Sequence, residues 1–430
     1  MTELRRGRRR LCSNVTRELR NGAKTARYAC RTMDVAVPSV VIAGAGIFGV
    51  TAAIELRRRG HSVQLLDPGP LPHPLAASTD ISKVVRIEYG ADEEYTSLAE
   101  KAIEGWRRWN RDFGVTLYHE TGLLMLRPTP LAPGTVEQDS FDVISRRGHR
   151  PEMVDAAAVG RRFRAWNADV YRYGTFDPEG GFVESGRVVA RLVQQAAAIG
   201  IEIHQGVAFA TLDEQDKPFG ARRAGLITAS GRRFEGDLVI LALGAWTPHA
   251  MPWLASELRS TGHPIVHFRP VDPEPFRPER FPVFCADIST TGYYGFPVHP
   301  IEGVVKIARH GVGRVMHPES PERVVTAEEL AHARAFVAEV FPLLAASPIV
   351  FSGVCLYCDS WDGHFWIAHD PDRPGVVVAT GDSGHAFKFG PVLGSLIADV
   401  AEGRADPLHQ KFRWRPGVRP RRSEEAMRSQ

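Results

Sequence analysis

The chain has 430 residues, of which 43% are hydrophobic and 24% charged, the balance of an ordinary globular protein. Ten of the 53 basic residues but only two of the 50 acidic residues lie in residues 1–33, a net +8 that leaves −5 on the remainder. A mildly acidic body gives no electrostatic basis for a nucleic-acid partner, and no apolar run approaches the roughly 18 residues of a membrane span.

The N-terminal segment and the cysteines indicate in which cellular compartment the protein is expected. The basic segment 1–33 allows three interpretations: a disordered tail, a translated region upstream of a true start at Met33, or an arginine-rich targeting segment. No apolar stretch follows its arginines, so we expect a tail and not a secretory signal. Five scattered cysteines are too few for a disulfide framework, which favours a reducing, cytoplasmic compartment.

The first folded element is predicted from residues 39–67, "SVVIAGAGIFGVTAAIELRRRGHSVQLLD". Val40–Ala43 is a short β-branched run typical of a buried parallel strand. Val50–Arg59 has apolar residues at helical spacing and is followed by Gly60, a common helix terminator. Val63–Leu66 then reads as a second strand, which gives a strand, helix, strand unit.

The turn inside this unit carries the pattern Gly-x-Gly-x-x-Gly, formed by Gly44, Gly46 and Gly49. The first glycine permits a tight turn, the second lets the backbone approach a pyrophosphate, and the third allows close packing of helix on strand. The helix N-terminus then faces the phosphates, and Asp67, at the end of the second strand, is placed to bind a ribose. The unit therefore predicts a dinucleotide site, although the spacing does not distinguish NAD from FAD.

The rest of the chain alternates between two kinds of pattern. Helical or buried-strand signals recur at the middle and end, whereas residues 260–315 contain short alternating segments typical of antiparallel strands. The recurrence predicts two interleaved domains. The remaining predicted elements, in chain order, are an amphipathic helix at 97–110, a β-rich stretch at 121–128, a helix and strand at 187–207, a buried strand at 238–243, a buried strand near 376 and a closing helix at 390–403.

From residue 38 to residue 416 the chain resembles the sarcosine oxidase-like flavoenzymes of the D-amino acid oxidase superfamily, which include the amadoriases (fructosyl amino acid oxidases). Seven segments carry the resemblance in family order: the glycine turn, "ASTDISKVVRIEYGADEEYTSLAEKAIEGW", "GGFVESGRVVARLV", "GDLVILALGAW", "YYGFP" with "VVKIARH", "CLYCDSWDGHFWI", and "TGDSGHAFKFGPVLG".

The resemblance implies an α/β and α+β fold with FAD as the cofactor. A Rossmann-type FAD-binding domain is interleaved with a substrate domain built on a largely antiparallel sheet. The expected boundaries are a basic tail at 1–33, the FAD-binding domain at 34–112, 178–250 and 351–405, the substrate domain at 113–177 and 251–350, and a C-terminal tail at 406–430.

The same resemblance implies five catalytic residues. Arg86 and Lys388 match the two cations that hold a substrate carboxylate, a task for which the planar fork of arginine is suited. Lys306 matches the lysine that promotes electron transfer to O₂, and His310 and Tyr294 match active-site residues over the flavin. From the residues alone, a strand lysine such as Lys306 is expected to face solvent, and the alternative for each cation is a weak surface ion pair.

The cofactor is expected to contact residues from every part of the resemblance. Thirteen residues are assigned to it: Gly44, Gly46, Ile47, Phe48, Gly49, Asp67, Ser78, Lys83, Val207, Cys355, Gly384, His385 and Lys388.

Cys355 and Cys358 form a C-x-x-C motif that allows three interpretations. Zinc would need a second ligand pair, and none with suitable spacing is present in the sequence. A dithiol redox pair lacks the helix start on which such pairs depend. The resemblance implies the third interpretation, in which Cys355 attaches FAD covalently, and the alternative is an inert buried thiol.

The stretch "GDSGHAFKFGP" at 381–391 contains the Gly-Asp-Ser-Gly box of trypsin-like proteases. A protease nucleophile there would need a base, an orienting acid and an all-β fold, and the strand and helix signals of this chain do not predict such a fold. Ser383 is therefore interpreted as part of a tight loop between a strand and a helix near the flavin.

The expected activity is oxidation of the C–N bond of an amino acid with a secondary amine to an imine, while O₂ is reduced to H₂O₂. Lys83 and "KFRWRPG" resemble amadoriases more than sarcosine oxidases, so a fructosyl amino acid oxidase is an alternative. An FAD-dependent amino acid dehydrogenase, an NAD(P)-dependent dehydrogenase and a non-enzymatic flavin-binding protein also remain. The partners are a small secondary-amine substrate with a carboxylate and O₂, in a monomer or small homo-oligomer.

Overall fold

The computed structural model describes residues 37–213 and 223–418. The predicted N-terminal tail, residues 1–33, lies outside the described residues, as do the last twelve residues of the predicted C-terminal tail. Of the helices in the described ranges, none is both long and apolar enough to cross a bilayer.

Strands and helices alternate along most of the described chain. The strands are β1 (Ser39–Ala43), β2 (Ser62–Asp67), β3 (Lys83–Val85), β4 (Tyr118–His119), β5 (Leu123–Arg127), β6 (Glu152–Asp155), β7 (Tyr173–Asp177), β8 (Gly181–Val183), β9 (Glu202–Gln205), β10 (Phe209–Leu212), β11 (Ala224–Thr228), β12 (Arg233–Gly236), β13 (Leu238–Leu241), β14 (Leu258–Phe268), β15 (Val283–Ala286), β16 (Tyr293–Gly295), β17 (Val305–Arg309), β18 (Arg314–Val315), β19 (Ile349–Ser360), β20 (Trp366–His369) and β21 (Val376–Thr380). The helices are α1 (Ile47–Arg58), α2 (Glu93–Phe113), α3 (Val136–Arg146), α4 (Ala156–Arg162), α5 (Ser185–Ala198), α6 (Thr247–Ala250), α7 (Ala327–Val340), α8 (Gly390–Ala401) and α9 (Leu408–Phe412).

The first large sheet has the strand order β20-β21-β13-β1-β2-β9. Its pairs are parallel except β20 with β21, and its central strands are apolar and buried on both faces, as parallel strands must be when helices cover them. Helix α1 packs between α5 and α8 on this sheet. The strand, helix, strand unit and the later buried strands are therefore confirmed.

The second large sheet has nine strands in the order β18-β14-β17-β16-β15-β5-β7-β6, with β19 paired to β14. All its pairs are antiparallel except β15 with β5, which run parallel across about 160 residues of sequence. The chain forms β1 and β2 of the first sheet, leaves for β5 to β7, returns for β9 and β13, leaves for β14 to β19, and returns for β20 and β21. The prediction of an interleaved fold with a largely antiparallel second sheet is confirmed, and the domain boundaries stay a prediction.

Helix α2 connects the fold to the cavity described below. The Asp92 side chain accepts a hydrogen bond from the Tyr95 backbone N–H at 3.1 Å and begins the helix, and Gly114 ends it in the left-handed conformation. The predicted apolar face is buried, and Trp106 on this face donates its ring N–H to the Lys388 backbone oxygen at 2.7 Å. The helix thereby fixes the backbone of a predicted site residue.

The C-terminal segment packs on the body of the protein as far as it is described. Phe412 of α9 is buried in the core beside α1 and α8. Arg415 forms two hydrogen bonds with the Asp362 carboxylate, each at 2.7 Å, and its charge lowers the pKa of that carboxyl against the opposing effect of burial.

Candidate active site

A cavity with an empty volume of about 1670 Å³, including its open mouth, lies between the two large sheets. One wall is formed by the loops that follow β1, β2 and β13, at the carboxyl ends of parallel strands where open α/β sheets bind ligands. The opposite wall is formed by residues of β15, β16 and β19 in the antiparallel sheet.

The glycine turn forms a close contact between strand and helix at the first wall. Gly44 has φ of +98°, and a Cβ there would overlap the Ala242 carbonyl oxygen. A Cβ at Gly49 would overlap the carbonyl oxygen of Gly44, whereas a Cβ at Gly46 would come no closer than 3.3 Å to the Ser78 side chain. The turn therefore needs glycine at the first and third positions for packing, and the second leaves backbone exposed to the cavity.

Polar groups beside this turn hold its backbone in place. Ser78 accepts a hydrogen bond from the Ile47 N–H at 3.1 Å, at the start of α1. Asp67 accepts hydrogen bonds from the backbone N–H groups of Ala45 at 2.8 Å and Gly69 at 3.1 Å. Burial raises the pKa of the Asp67 carboxyl, and these two donors oppose the rise.

A buried charge cluster lies below the antiparallel wall. The Lys306 ammonium donates to Asp80 at 2.5 Å and to the Ser82 backbone oxygen at 2.7 Å, and Lys83 donates to the same Asp80 oxygen at 3.2 Å. Burial lowers the pKa of Lys306 despite this partner. Burial also opposes the Asp80 charge, yet the two ammonium groups hold the Asp80 pKa below its usual range.

The C-x-x-C motif lies within β19, where residues three apart point to opposite faces of the sheet. Cys355 packs with Ile265 and Tyr357, and its sulfur accepts a hydrogen bond from Lys83 Nζ at 3.3 Å. Cys358 lies in the core beside the parallel sheet, where burial raises its pKa to about 12. The two thiols are free and face apart, so this arrangement does not support a dithiol redox pair.

Two buried cations lie together at another point of the cavity wall. The Arg86 guanidinium lies 4.7 Å from the ring centre of Tyr89, and the Lys388 ammonium donates to the Tyr89 hydroxyl at 2.8 Å. That hydroxyl also contacts His385 Nδ1 at 3.1 Å. The residues come from the loop after β3 and from the turn before α8, so the fold brings together positions about 300 residues apart.

A carboxyl pair lies next to Arg86. Glu88 and Asp177 are both buried, and Glu88 accepts a hydrogen bond from the Ile87 N–H at 3.0 Å. Burial and the Asp177 charge raise the pKa of Glu88 well above its ordinary value, against the opposing charge of Arg86. Burial and the neighbouring Asp177 thus both favour the protonated form of Glu88.

Aromatic residues complete the antiparallel wall. The Tyr294 and Tyr357 hydroxyls lie 3.5 Å apart, and the His310 ring is about 6 Å from each tyrosine ring. Burial raises the pKa of Tyr294 to about 12, so its hydroxyl is protonated at neutral pH. Tyr357 also stacks on His263 at 3.9 Å between ring centres.

Most residues that the sequence assigns to the site lie on the wall of this one cavity. Thirteen of them are Gly44, Gly46, Ile47, Phe48, Asp67, Ser78, Lys83, Arg86, Tyr294, His310, Gly384, His385 and Lys388.

Four assigned residues lie behind or beside the cavity. Gly49 packs on the turn, Lys306 lies beneath the wall with 1% of its surface exposed, and Val207 precedes the lining residues 208–209. Cys355 borders a neighbouring cavity that shares part of its wall with the first. Ser383 lies buried in the loop between β21 and α8, as its interpretation as a loop residue predicts.

Four residues of the site were not identified from the sequence: Asp80, Glu88, Tyr89 and Tyr357. All four lie within three residues of an assigned position, Ser78, Arg86 or Cys355, and that proximity is the local signal that they carry. The carboxyl groups of Asp80 and Glu88 resemble any surface acid until burial is known.

The sequence matches the profile of the family described as FAD dependent oxidoreductase (DAO) over residues 39–400. The chain belongs to this family. The match spans both large sheets and every assigned site residue, and a glycine turn that faces a large cavity is the backbone arrangement that the FAD pyrophosphate requires. The oxidoreductase therefore uses FAD.

Curated relatives of the oxidoreductase align over nearly their whole length. L-saccharopine oxidase of Schizosaccharomyces pombe is 27% identical over 420 residues, covering 88% of this chain and 93% of the relative. Monomeric sarcosine oxidase of Streptomyces avermitilis is 30% identical over 372 residues, covering 84% of this chain and 93% of the relative.

Solved structures share the fold of the oxidoreductase. Amadoriase II of Aspergillus fumigatus, a fructosamine oxidase, superposes with a TM-score of 0.75 at 24% identity, covering 89% of this chain and 90% of that structure. A fructosyl peptide oxidase superposes with a TM-score of 0.78 at 20% identity, covering 90% and 96%.

Proposed function

We propose that the oxidoreductase oxidises the C–N bond of an amino acid with a secondary amine to an imine, which water hydrolyses, and that O₂ is reduced to H₂O₂. One observation carries the substrate class: two buried cations, Arg86 and Lys388, lie beside one tyrosine on the wall of the cavity that the glycine turn faces. Relatives named for saccharopine and sarcosine oxidation support it, because both compounds are secondary-amine amino acids.

The substrate carboxylate is bound by the two cations. A guanidinium offers two parallel N–H donors to a carboxylate, and the ammonium adds a third donor from another side. Both side chains are about 95% buried, so their attraction to a carboxylate is weakly screened. Binding in this way orients the amine end of the substrate toward the remainder of the cavity.

The cofactor is held by the glycine turn, the start of α1, Ser78 and Asp67. When bound, FAD accepts the two electrons and the hydrogen that leave the substrate carbon next to nitrogen. The protein contributes the cavity, the ammonium groups of Lys306 and Lys83 below its wall and the protonated hydroxyl of Tyr294.

A peroxide assay over a panel of amines tests the proposed activity. The panel contains N-methyl, cyclic and glycated amino acids, each with its decarboxylated analogue. We expect at least one of the acids to be oxidised, with a loss of at least ~100-fold in kcat/KM for the analogue, because the analogue has no carboxylate to accept hydrogen bonds from the two buried cations. Arg86→Ala should remove most of this discrimination, and an analogue oxidised as fast as the acid would contradict carboxylate binding.

The same panel separates the alternatives. Oxidation confined to glycated amino acids would identify a fructosyl amino acid oxidase, an outcome that Lys83 and "KFRWRPG" favour. Turnover with an artificial electron acceptor but without peroxide would identify a dehydrogenase.

Covalent attachment of FAD through Cys355 is part of the proposal. The Lys83 ammonium donates to its sulfur at 3.3 Å, so a fixed positive charge lies directly beside the proposed point of attachment. Acid-precipitated protein should stay yellow, and Cys355→Ser should release FAD into the supernatant. Cys358→Ser is the matched control and should keep the flavin attached; release in the control but not in Cys355→Ser would mean that the other sulfur is used.

Reaction with O₂ is assigned to Lys306 in this proposal. A fixed, fully buried ammonium stabilises negative charge that develops on oxygen. We expect Lys306→Met to slow reoxidation by O₂ much more than anaerobic reduction by substrate. Equal effects on the two half-reactions would contradict a dedicated oxygen role.

We also propose a cytoplasmic monomer or small homo-oligomer. Cys355 and Cys358 are free thiols, as expected for a reducing compartment. Cell fractionation and light scattering of the purified holoenzyme test the two statements separately.

A further inference from the structure

We propose that Tyr89 is the positioning residue of the carboxylate site, because it holds both cations, Arg86 and Lys388, in the arrangement that a carboxylate needs. The inference rests on the proposed function, which assigns the two cations to the substrate. Tyr89 lies with 8% of its surface exposed at the point where the loop after β3 meets the turn before α8.

The hydroxyl of Tyr89 takes part in a hydrogen-bond chain with a fixed direction. An ammonium can only donate, so at 2.8 Å the Tyr89 oxygen accepts from Lys388 Nζ. The Gly363 backbone oxygen can only accept, so His385 Nε2, 3.0 Å away, carries a proton. In the neutral imidazole Nδ1 is then an acceptor, and the Tyr89 hydroxyl donates to it at 3.1 Å.

The chain from Lys388 through Tyr89 and His385 to Gly363 determines where the ammonium lies. Lysine has a flexible four-carbon stem, and the Tyr89 oxygen restricts the positions that its head group takes. The backbone of Lys388 is also fixed, because its oxygen accepts from Trp106. Both ends of the lysine are thus anchored.

The ring of Tyr89 holds the second cation. The Arg86 guanidinium carbon is 4.7 Å and the Lys388 nitrogen 5.0 Å from the ring centre, both within cation–π range. Tyr95 stacks against this ring at 5.0 Å with 19° between the planes, which keeps its orientation. One side chain therefore stabilises two like charges that would otherwise repel each other.

Tyr89→Phe separates the hydroxyl from the ring, because phenylalanine keeps the stack and the cation–π contact. We expect kcat/KM for the carboxylate substrate to fall about tenfold or more through KM, as loss of a hydrogen bond to a charged group predicts. The value for the decarboxylated analogue should change less than about twofold, since the analogue has no carboxylate for the positioned ammonium to bind.

Tyr89→Leu also removes the ring. It should lower kcat/KM for the carboxylate substrate further, because Arg86 loses its contact with that ring. Tyr95→Phe is the matched control, since it removes a hydroxyl from the stacked neighbour and leaves the Lys388 contact intact. Its acid-to-analogue ratio should equal that of the wild type.

A binding measurement separates failure of this inference from failure of the proposed function. Acetate, titrated into the holoenzyme and followed by the flavin absorption spectrum, reports the carboxylate site without turnover. Weaker acetate binding in Tyr89→Phe supports the inference even if no amine is oxidised. An unchanged ratio and acetate affinity, an equal loss for acid and analogue, or a wild type that does not bind acetate would each overturn it.

Discussion

The two walls of the cavity are built by different means. On the parallel-sheet side the important groups are backbone atoms, supplied by Gly44, Gly49 and the start of α1 within one stretch of 29 residues. On the antiparallel side they are charged and aromatic side chains that contact distant segments of the chain, such as Lys306 with Asp80, 226 residues apart. The first wall requires residues that have no Cβ, whereas the second requires charged side chains that pair with each other.

This difference teaches what each wall tolerates. A position where a Cβ would overlap backbone accepts no larger residue, because backbone cannot move aside. Removing one partner of a buried ion pair destabilises the folded protein, whereas replacing both partners is tolerated. Four substitutions, taken from the largest expected effect to the smallest, test the contrast.

Gly49→Ala should have the largest effect, because the new Cβ would overlap the carbonyl oxygen of Gly44. We expect a loss of more than about 4 kcal/mol in the free energy of unfolding and little FAD in the purified protein. Gly160→Ala in α4 is the control, since its Cβ would meet only Ala168 at 3.7 Å. Flavin absorbance per protein and thermal unfolding measure both, and a stable, yellow Gly49→Ala protein would refute the packing argument.

Lys306→Met should be the next largest in its effect on stability. It leaves the buried Asp80 carboxylate with Lys83 as its remaining ammonium partner, and we expect a loss of about 3 kcal/mol. Adding Asp80→Asn should recover at least half of that loss, measured by denaturant unfolding. A double variant less stable than the single one would show that the charges are not the cause.

Glu88→Gln should change the pH dependence of stability. Folding raises the Glu88 pKa, so its contribution is full below the unfolded pKa and is lost as pH rises through the folded pKa. Glutamine mimics the protonated form, and the variant should therefore gain stability relative to the wild type between pH 5 and pH 8, by about 1 kcal/mol.

Glu100→Gln is the control of opposite sign for that experiment. Hydrogen bonding to Arg147 lowers the Glu100 pKa, so its contribution is present above the unfolded pKa and is lost as pH falls. Its glutamine variant should lose stability toward pH 8, as measured by urea midpoints. Parallel pH trends in the two variants would contradict the assignment.

His149→Gln should have the smallest effect. Burial opposes the charge of His149, but Glu179 at 2.8 Å and Glu100 at 3.0 Å raise its pKa. The contribution is therefore full below the unfolded pKa and is lost as pH rises through the folded pKa. We expect a loss below about 1 kcal/mol at pH 5.5 and none at pH 8.5, because solvent screens these pairs. Equal losses at both pH values would indicate lost packing instead.

Site residues of the parallel-sheet wall could be predicted from local sequence spacing, whereas those of the antiparallel wall could not. Gly44, Gly49 and Asp67 follow from local spacing, because strand, turn and helix are adjacent in the chain. Lys306 could be assigned only from resemblance, since a lysine on an alternating strand normally faces solvent.

Site residues that neither local spacing nor the family resemblance singled out were not predicted. Asp80 and Glu88 become distinctive only when the fold buries them beside other charges, and no period or spacing encodes that event. Tyr89 belongs to the site because the turn before α8 meets the loop after β3, a contact between segments about 300 residues apart. Such contacts between distant segments are set by the tertiary structure, which local sequence patterns do not determine.

The parallel pairing of β5 with β15 has a consequence for engineering. Leu124 of β5 pairs with Phe284 of β15, and this pairing is the seam of the antiparallel sheet. The sheet is therefore assembled from two separate inserts, β5 to β7 and β14 to β19. A single cut between β2 and β21 leaves strands of the parallel sheet on both fragments. Transplanting substrate selectivity from a relative therefore requires both inserts to be exchanged together, because a chimaera with one would join mismatched halves at the seam.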